Sequence, residues 1–389
     1  MIVPAGSGSV THRVRRAWQD APGRGKGRMR FGFVRKRLEL KRVVRKYGFL
    51  MQNGLWRVEG RYLYRPGGGA GDFARFFEAY HRPVSPAPPS PRERARGWVR
   101  KLLGLDRMVI LGRGKAARAS AVYVTRTQGL KFFDFRAGEV LTTTSRAEWR
   151  SYCACKRLAL FRYFDTPDAA LIDSPAGPLR REALVSAPPL SLLEPQTRLE
   201  AVERIVAAYL RYITEHREPP RPELIMACYD EVGTRLPRGE RAQYLRYRDA
   251  VADLARRYAF VKTHLDFNIA NLLYDARDEG RTWLLDIDSA GLSMPSLFDL
   301  INLALNEVYA DGDLLILDNL LNGRLQAPFA QAVSAAVIDP APGDGRTAIF
   351  VNFVMRESAR ATERLFGISP VPERTLKHWK QFEERISWW

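Results

Sequence analysis

Residues 263–275 read T-H-L-D-F-N-I-A-N-L-L-Y-D, and residues 283–291 read W-L-L-D-I-D-S-A-G. In the first stretch Asp266 and Asn271 stand five apart, in a polar segment that leads into an apolar run. In the second, Asp286 closes another apolar run, fifteen residues after Asn271. Short apolar runs bounded by polar residues read as strands, here at 271–274 and 283–287. Paired as a hairpin, they bring Asp266, Asn271 and Asp286 to one edge. Phosphoryl transfer to a hydroxyl needs such a set. One carboxylate orients the hydroxyl and accepts its proton, while an amide oxygen and a second carboxylate hold Mg2+ against nucleotide phosphates. Mg2+ favours hard oxygen ligands, which suits Asn and Asp better than His or Cys. On the residues alone, a capped turn at His264 and Asp266, with Asp286 closing a hairpin, is the other reading.

His264, Asp266 and Asn271 together spell H-x-D-x-x-x-x-N. This resembles the catalytic loop of protein-kinase-like phosphotransferases, and Asp286 resembles their metal-binding Asp. Leu265 stands where protein kinases carry Arg, and Ile287-Asp288 follow Asp286 in place of Phe-Gly. Those departures point away from protein kinases. They resemble the aminoglycoside phosphotransferase and choline kinase branch, and also the bacterial lipopolysaccharide sugar kinases. The forms D-x-N-x-x-N (Asp266, Asn268, Asn271) and L-x-D-x-D (Asp286, Asp288) are most similar to kinases of the Kdo sugar of lipopolysaccharide. The resemblance implies an α+β, two-lobed protein-kinase-like fold that uses ATP and Mg2+. It implies Asp266 as catalytic base, Asn271 and Asp286 with Asp288 as Mg2+ ligands, and His264 as support for the loop. Asp299, in P-S-L-F-D-L, resembles the buried Asp that steadies this loop in the small-molecule branch.

Upstream, Lys131 sits in the apolar strand run G-L-K-F-F-D-F, and Glu148 in the helical run S-R-A-E-W-R-S-Y-C-A-C-K-R-L. Kinase-like folds use such a Lys to hold nucleotide phosphates and such a Glu to fix the Lys. The alternative is an edge-strand Lys and a helix Glu, both facing water. Before them, L-G-R-G-K-A-A-R-A-S (111–120) falls between two strand runs. Gly112 and Gly114 suit close backbone approach to an anion, with Lys115 beside them, or equally an ordinary hairpin turn. The stretch 182–191 takes the place of an adenine-contacting hinge by order alone.

Working outward, strands are expected at 108–112, 120–126, 130–135 and 182–187, with a helix at 145–160 among them. Long helical patterns follow at 199–215 and 238–258. The order is a mostly β part, then a mostly α part. The run L-W-R-V-E-G-R-Y-L-Y, punctuated by Asn53-Gly54 and Glu59-Gly60, suits a small β-meander. Residues 83–92 are Pro-rich and read as an extended linker. The expected organisation is 1–92 as a basic extension with helix, meander and linker, 93–190 as the β-rich lobe, and 191–389 as the helical lobe.

Residues 1–100 hold 23 Lys and Arg against 6 Asp and Glu, a net +17 of the whole chain's +19. Such an imbalance attracts an anionic partner: acidic lipid, a phosphorylated glycan or nucleic acid. Residues 30–47 place Val34, Leu38, Val43, Val44 and Tyr47 at roughly helical spacing among Lys and Arg. That describes a basic amphipathic helix, lying either on a membrane surface or on the adjacent domain. The Arg-rich region lacks interleaved aromatics that stack bases, which disfavours nucleic acid. The terminal Trp388-Trp389 suits either a lipid interface or docking on the protein itself.

The three cysteines, Cys153, Cys155 and Cys228, form neither a disulfide framework nor a zinc pattern. No apolar run reaches membrane-spanning length and no secretory signal is evident. The expected location is cytoplasmic, at the inner face of the membrane where residues 30–47 bind lipid. Three functions fit in descending order: a kinase of a sugar or glycolipid hydroxyl, a small-molecule kinase of the aminoglycoside or choline type, and a pseudokinase whose basic arm recruits membrane or nucleic acid.

Overall fold

The computed structural model describes residues 42–59, 62–65, 107–110, 119–124, 129–278, 280–311, 313–358 and 372–386. The glycine stretch with Gly112, Gly114 and Lys115, the linker at 83–92, residues 1–41 and Trp388-Trp389 lie outside them. The described residues form two compact units. The first runs to Arg146 and resumes over Asp168–Val185; the second holds Ala147–Pro167 and continues from Ser186. The class is α+β, a strand-rich first unit and a mostly helical second one, as the order of the sequence implies.

The first unit is built on eight strands: β1 (Gly54–Glu59), β2 (Tyr62–Tyr64), β3 (Arg107–Ile110), β4 (Ala121–Val124), β5 (Leu130–Asp134), β6 (Glu139–Thr143), β7 (Ala169–Ile172) and β8 (Leu179–Ala183). They form one antiparallel sheet in the order β3-β1-β2-β4-β5-β6-β8-β7. The strands expected as a separate small meander are therefore interior members of the main sheet. Successive strand residues point to opposite faces. One face packs Trp56, Leu63, Ile110, Val122, Leu130 and Phe132 into a core. Residues 42–47 are helical, and Val43, Val44 and Tyr47 pack against this core, with the Tyr47 ring 5.4 Å from that of Phe132. Strands β6 and β7 were not expected, and β8 lies three to four residues before the predicted 182–187. Charged Arg180, Arg181 and Glu182 interrupt the apolar pattern of β8, so the strand is specified by pairing with β6.

The second unit contains α1 (Arg146–Lys156, from its second residue), α2 (Pro195–His216), α3 (Pro222–Arg235), α4 (Arg238–Leu245), α5 (Arg248–Arg257), α6 (Phe298–Asp311), α7 (Leu315–Asn322), α8 (Gln326–Ala336), α9 (Asp344–Glu357) and α10 (Pro372–Ile386). Pro195 and Pro222 open α2 and α3, where a missing backbone N–H costs nothing. Along α2, Leu199, Val202, Ile205, Val206, Tyr209 and Ile213 form one buried stripe. It packs on α8, while α9 packs on α3, α5 and α6. The predicted helix over 238–258 is two helices. Tyr229 Oη donates to Tyr244 O at 2.7 Å, and Tyr247 N binds the same carbonyl, so the α-helical ladder breaks there. The helix expected at 145–160 ends at Lys156, and a 3-10 turn (Ala159–Arg162) follows extended Leu158.

Two small ribbons interrupt the helices: β9 (Phe260–Thr263) with β12 (Leu292–Pro295), and β10 (Leu272–Asp275) with β11 (Arg281–Leu284). Cys155 and Cys228 are buried and Cys153 partly so; all three are free thiols. Among the described residues no helix is long and apolar enough to cross a membrane.

Candidate active site

The segment between β9 and β10 is a loop whose shape is forced by two carboxylates and two amides. Thr263 closes β9 against Leu292. The next two backbone N–H groups, of His264 and Leu265, donate to Asp299 Oδ2 at 2.6 Å and Oδ1 at 3.0 Å. Asp299 lies in the first turn of α6 and is fully buried, as the sequence resemblance implied. Leu265 adopts φ 72°, a left-handed conformation that costs a branched-carbon side chain about 1–2 kcal/mol. The paired N–H groups on Asp299 and the complete burial of the Leu265 side chain hold it there. Reversal at Leu265 leaves Asp266 partly exposed between buried Leu265 and Phe267.

Asp266 is then held by its own loop. Asn268 Nδ2 donates to Asp266 Oδ1 at 2.8 Å and Asn271 Nδ2 to Asp266 Oδ2 at 2.9 Å. Both amides also reach the Asp266 carbonyl, at 3.1 and 2.9 Å. Asn268 Oδ1 accepts from Ala270 N and Asn271 N at 2.9 and 3.1 Å, a side-chain turn of the kind Asn favours. Because Asn271 Nδ2 is directed to Asp266, the side-chain amide oxygen Oδ1 is the atom turned away to meet a cation.

The hairpin brings Asp286 to the same end. Leu272 pairs with Leu284, and Leu285 N donates to Asn271 O at 2.9 Å. The strand predicted over 283–287 stops at Leu284, because Asp286 takes φ 55°, ψ 49° and starts a 3-10 turn (Ile287–Ser289). A short Asp tolerates this conformation better than a bulky residue. Ser289 Oγ donates to His264 O at 3.0 Å, tying that turn to the Asp266 loop. Asp286 and Asp288 are both exposed.

His264 lies beneath the loop, fully buried, edge-on to Phe161 and Phe267. Burial pushes its pKa down, against the opposing charges of Asp266 and Asp286 and the backbone of Leu285 and Asp266. Neither ring nitrogen makes a hydrogen bond of normal geometry. Asp299 is pushed up to about 7, by burial first; its three donors, two backbone N–H groups and Tyr209 Oη, pull the other way.

Of the remaining predicted residues, Gly112, Gly114 and Lys115 lie outside the described residues. Lys131 is in β5 of the first unit, partly buried, between Tyr123 and Thr142 on the flanking strands. Glu148 is exposed in the first turn of α1, in the second unit. Arg356, missed in the sequence, donates Nη1 to Asn302 Oδ1 at 2.5 Å, and Asn302 Nδ2 reaches Leu265 O at 3.4 Å. Its signal was there: Asn352 and Arg356 interrupt the otherwise apolar run A-I-F-V-N-F-V-M-R.

No family model and no curated protein matches the sequence. Solved structures that resemble it include the choline kinase of Streptococcus pneumoniae, at 11% identity over 76% of this chain and 100% of that one, TM-score 0.43. An aminoglycoside phosphotransferase of Streptomyces rimosus aligns at 17% identity over 59% of this chain and 90% of that one, TM-score 0.37. A thermostable mutant aminoglycoside phosphotransferase, in ternary complex with ADP and hygromycin B, aligns at 15% identity over 67% and 90%, TM-score 0.41. Similarity of this degree carries no assignment of activity, which has to come from the residues.

Proposed function

We propose that this chain is an ATP- and Mg2+-dependent phosphotransferase that moves the γ-phosphate to a hydroxyl of a sugar or glycolipid. The observation that carries the reading is the Asp266 carboxylate, clamped by Asn268 and Asn271 amides at 2.8 and 2.9 Å. A carboxylate held in one orientation and still partly exposed suits a general base. In this reading Asp266 orients the acceptor hydroxyl and takes its proton as the hydroxyl oxygen bonds to the γ-phosphorus. The bond from that phosphorus to the bridging oxygen breaks, and its electron pair leaves with ADP. Asn271 through Oδ1, Asp286 and Asp288 are the residues to hold Mg2+, which neutralises phosphate charge when bound. Among the described residues no three His, Cys, Asp or Glu side chains form a metal cage. Lys131, Glu148, Gly112, Gly114 and Lys115 are assigned to the nucleotide, and His264 to supporting the loop.

The net +17 of residues 1–100 supports an acceptor met at an anionic membrane surface. Since Val43, Val44 and Tyr47 pack on the sheet core, the attraction in this reading is mainly electrostatic. Binding to acidic vesicles should then fall steeply with salt; equal binding to neutral vesicles contradicts it. For the chemistry, acceptors are screened with labelled ATP, and Asp266→Ala should lower transfer by about 10²–10⁴-fold while Mg2+-ATP still binds. Turnover retained in that variant removes Asp266 from the base role.

A further inference from the structure

Two ribbons carry the carboxylates proposed to act. Asp266 follows β9, which pairs with β12, and Asp286 follows β11, which pairs with β10; the ribbons are separate sheets. Strand pairing between them therefore does not set how far apart the two carboxylates stand. A two-stranded ribbon is also marginal by itself and takes its position from what packs on it.

Residues 157–167, which follow α1, pack on both. Lys156 Nζ donates to Pro167 O at 2.8 Å and closes the segment into a strap. At its start, Cys155 Sγ donates to Ala290 O at 3.3 Å, and Leu158 Cδ1 lies 3.4 Å from where a Cβ on Gly291 would stand. Both contacts fall on the chain just after Asp286 and Asp288. The Phe161 ring stands edge-on to His264 at 6.2 Å. Tyr163 Oη donates to Glu215 Oε2 at 2.6 Å and ties the strap to the end of α2.

The next two residues reach both ribbons. The buried Phe164 ring stands edge-on to that of Phe267 at 5.6 Å, and Phe267 adjoins Asp266. Asp165 lies parallel to β11: its N–H donates to Thr282 O at 3.0 Å, and its carbonyl accepts from Leu284 N at 2.8 Å. Leu284 stands two residues before Asp286. The Asp165 carboxylate accepts from Arg281 Nε and Nη2 at 2.7 and 3.3 Å, which holds the strap in that register. This ion pair is open to solvent and adds little to stability, so its effect is on alignment.

We propose that Phe164 and Asp165 are positioning residues that set the separation of Asp266 from Asp286, and with it the geometry in which Mg2+ is held against the nucleotide. This deepens the phosphotransferase reading and rests on it. Misplacing reacting groups by about 1 Å costs about 10²-fold in rate, so a loosened strap acts on the site well beyond its share of stability.

The test measures ADP affinity of the full chain by calorimetry, with Mg2+ and with EDTA, beside ATP hydrolysis without acceptor and urea unfolding. Wild type should bind ADP more tightly with Mg2+. Phe164→Leu should remove most of that gain and lower the kcat of hydrolysis about ten-fold, with ADP affinity in EDTA unchanged. Arg281→Gln, which releases the Asp165 carboxylate, should do the same to a smaller degree and leave stability nearly unchanged. Phe382→Leu is the control. It loosens the core against Phe350 and Phe353 and should lower stability while keeping the Mg2+ gain and kcat. An unchanged Mg2+ gain in Phe164→Leu and Arg281→Gln overturns the proposal. So does an equal loss of ADP affinity in both buffers, or a loss of Mg2+ gain as large in Phe382→Leu. Should Phe164→Leu fail to fold, Arg281→Gln decides. A wild type that binds no ADP, or gains nothing from Mg2+, ends the phosphotransferase reading and this inference with it. Variants that keep the wild-type gain end only this inference.

Discussion

The sheet face that carries Lys131 and the loop that carries Asp266 present polar side chains by opposite means. In β5, strand alternation puts Leu130 and Phe132 into the core and Lys131 on the other face. Position there comes from regular backbone, and the packing residues differ from the one proposed to act. In the loop, the residues that set the backbone are those around the proposed base: Asp299 holds Leu265 in a strained turn, and Asn268 and Asn271 hold both turn and carboxylate. Stability and function should thus separate in the sheet and merge in the loop.

The largest effect should break that rule at one point. Asp266→Ala should lower phosphate transfer by about 10²–10⁴-fold, the usual worth of a positioned general base. It should nevertheless fold normally, because Asn268 and Asn271 keep the Asp266 carbonyl as acceptor when the carboxylate is gone. Circular dichroism melts and labelled-ATP assays on one preparation check both halves. Next in size, Phe132→Ala empties a fully buried site and should cost roughly 3–5 kcal/mol by urea unfolding. Where the variant remains folded at assay temperature, its turnover should change little. A large loss of kcat without loss of fold would show that the sheet does not separate the two roles.

The loop can be tested by pH. Asp299 is raised to about 7, above its usual value, so its folded form holds a proton that the unfolded chain releases. Stability from this group is full below about pH 4 and is lost as pH rises through about 7. Replacement by Asn removes the titration. The stability of wild type relative to Asp299→Asn should fall by about 2–3 kcal/mol between pH 5 and pH 8, by the free energy per pKa unit. Paired urea melts at the two pH values measure it. A gap that widens with pH means the three donors on Asp299 outweigh its burial.

Much of the loop was legible because its chemistry is local. Asp266, Asn268 and Asn271 hydrogen-bond one another within six residues, so the spacing of Asp266 and Asn271 reports the loop, while Asn268 was pointed to only by the family resemblance. The Asp299 contribution arrives from thirty-five residues away, and only the family resemblance pointed to it. The end of β11 at Leu284 was missed because the left-handed Asp286 interrupts an apolar run that composition would have continued. Strand β8 was misplaced for the converse reason. Its charged residues hide the alternation, and it exists through pairing with β6 across about forty residues. The break between α4 and α5 depends on a hydroxyl from α3, which no periodicity encodes.

Lys131→Ala is the smallest expected perturbation of the fold and the sharpest test of the comparison. Its side chain is partly buried and stands between Tyr123 and Thr142, on the face opposite Phe132. Truncation there leaves the core packing intact, so unfolding free energy should shift by less than about 1 kcal/mol. A charge-assisted contact to a phosphate is worth about 1.5–3 kcal/mol, so loss of the ammonium should raise KM for ATP at least about ten-fold. The two readouts pull apart only if Lys131 meets the nucleotide. Unchanged KM with unchanged stability makes it a solvent-facing strand residue. A stability loss comparable to that of Phe132→Ala would mean that this face is a second core, where regular backbone no longer separates packing from chemistry.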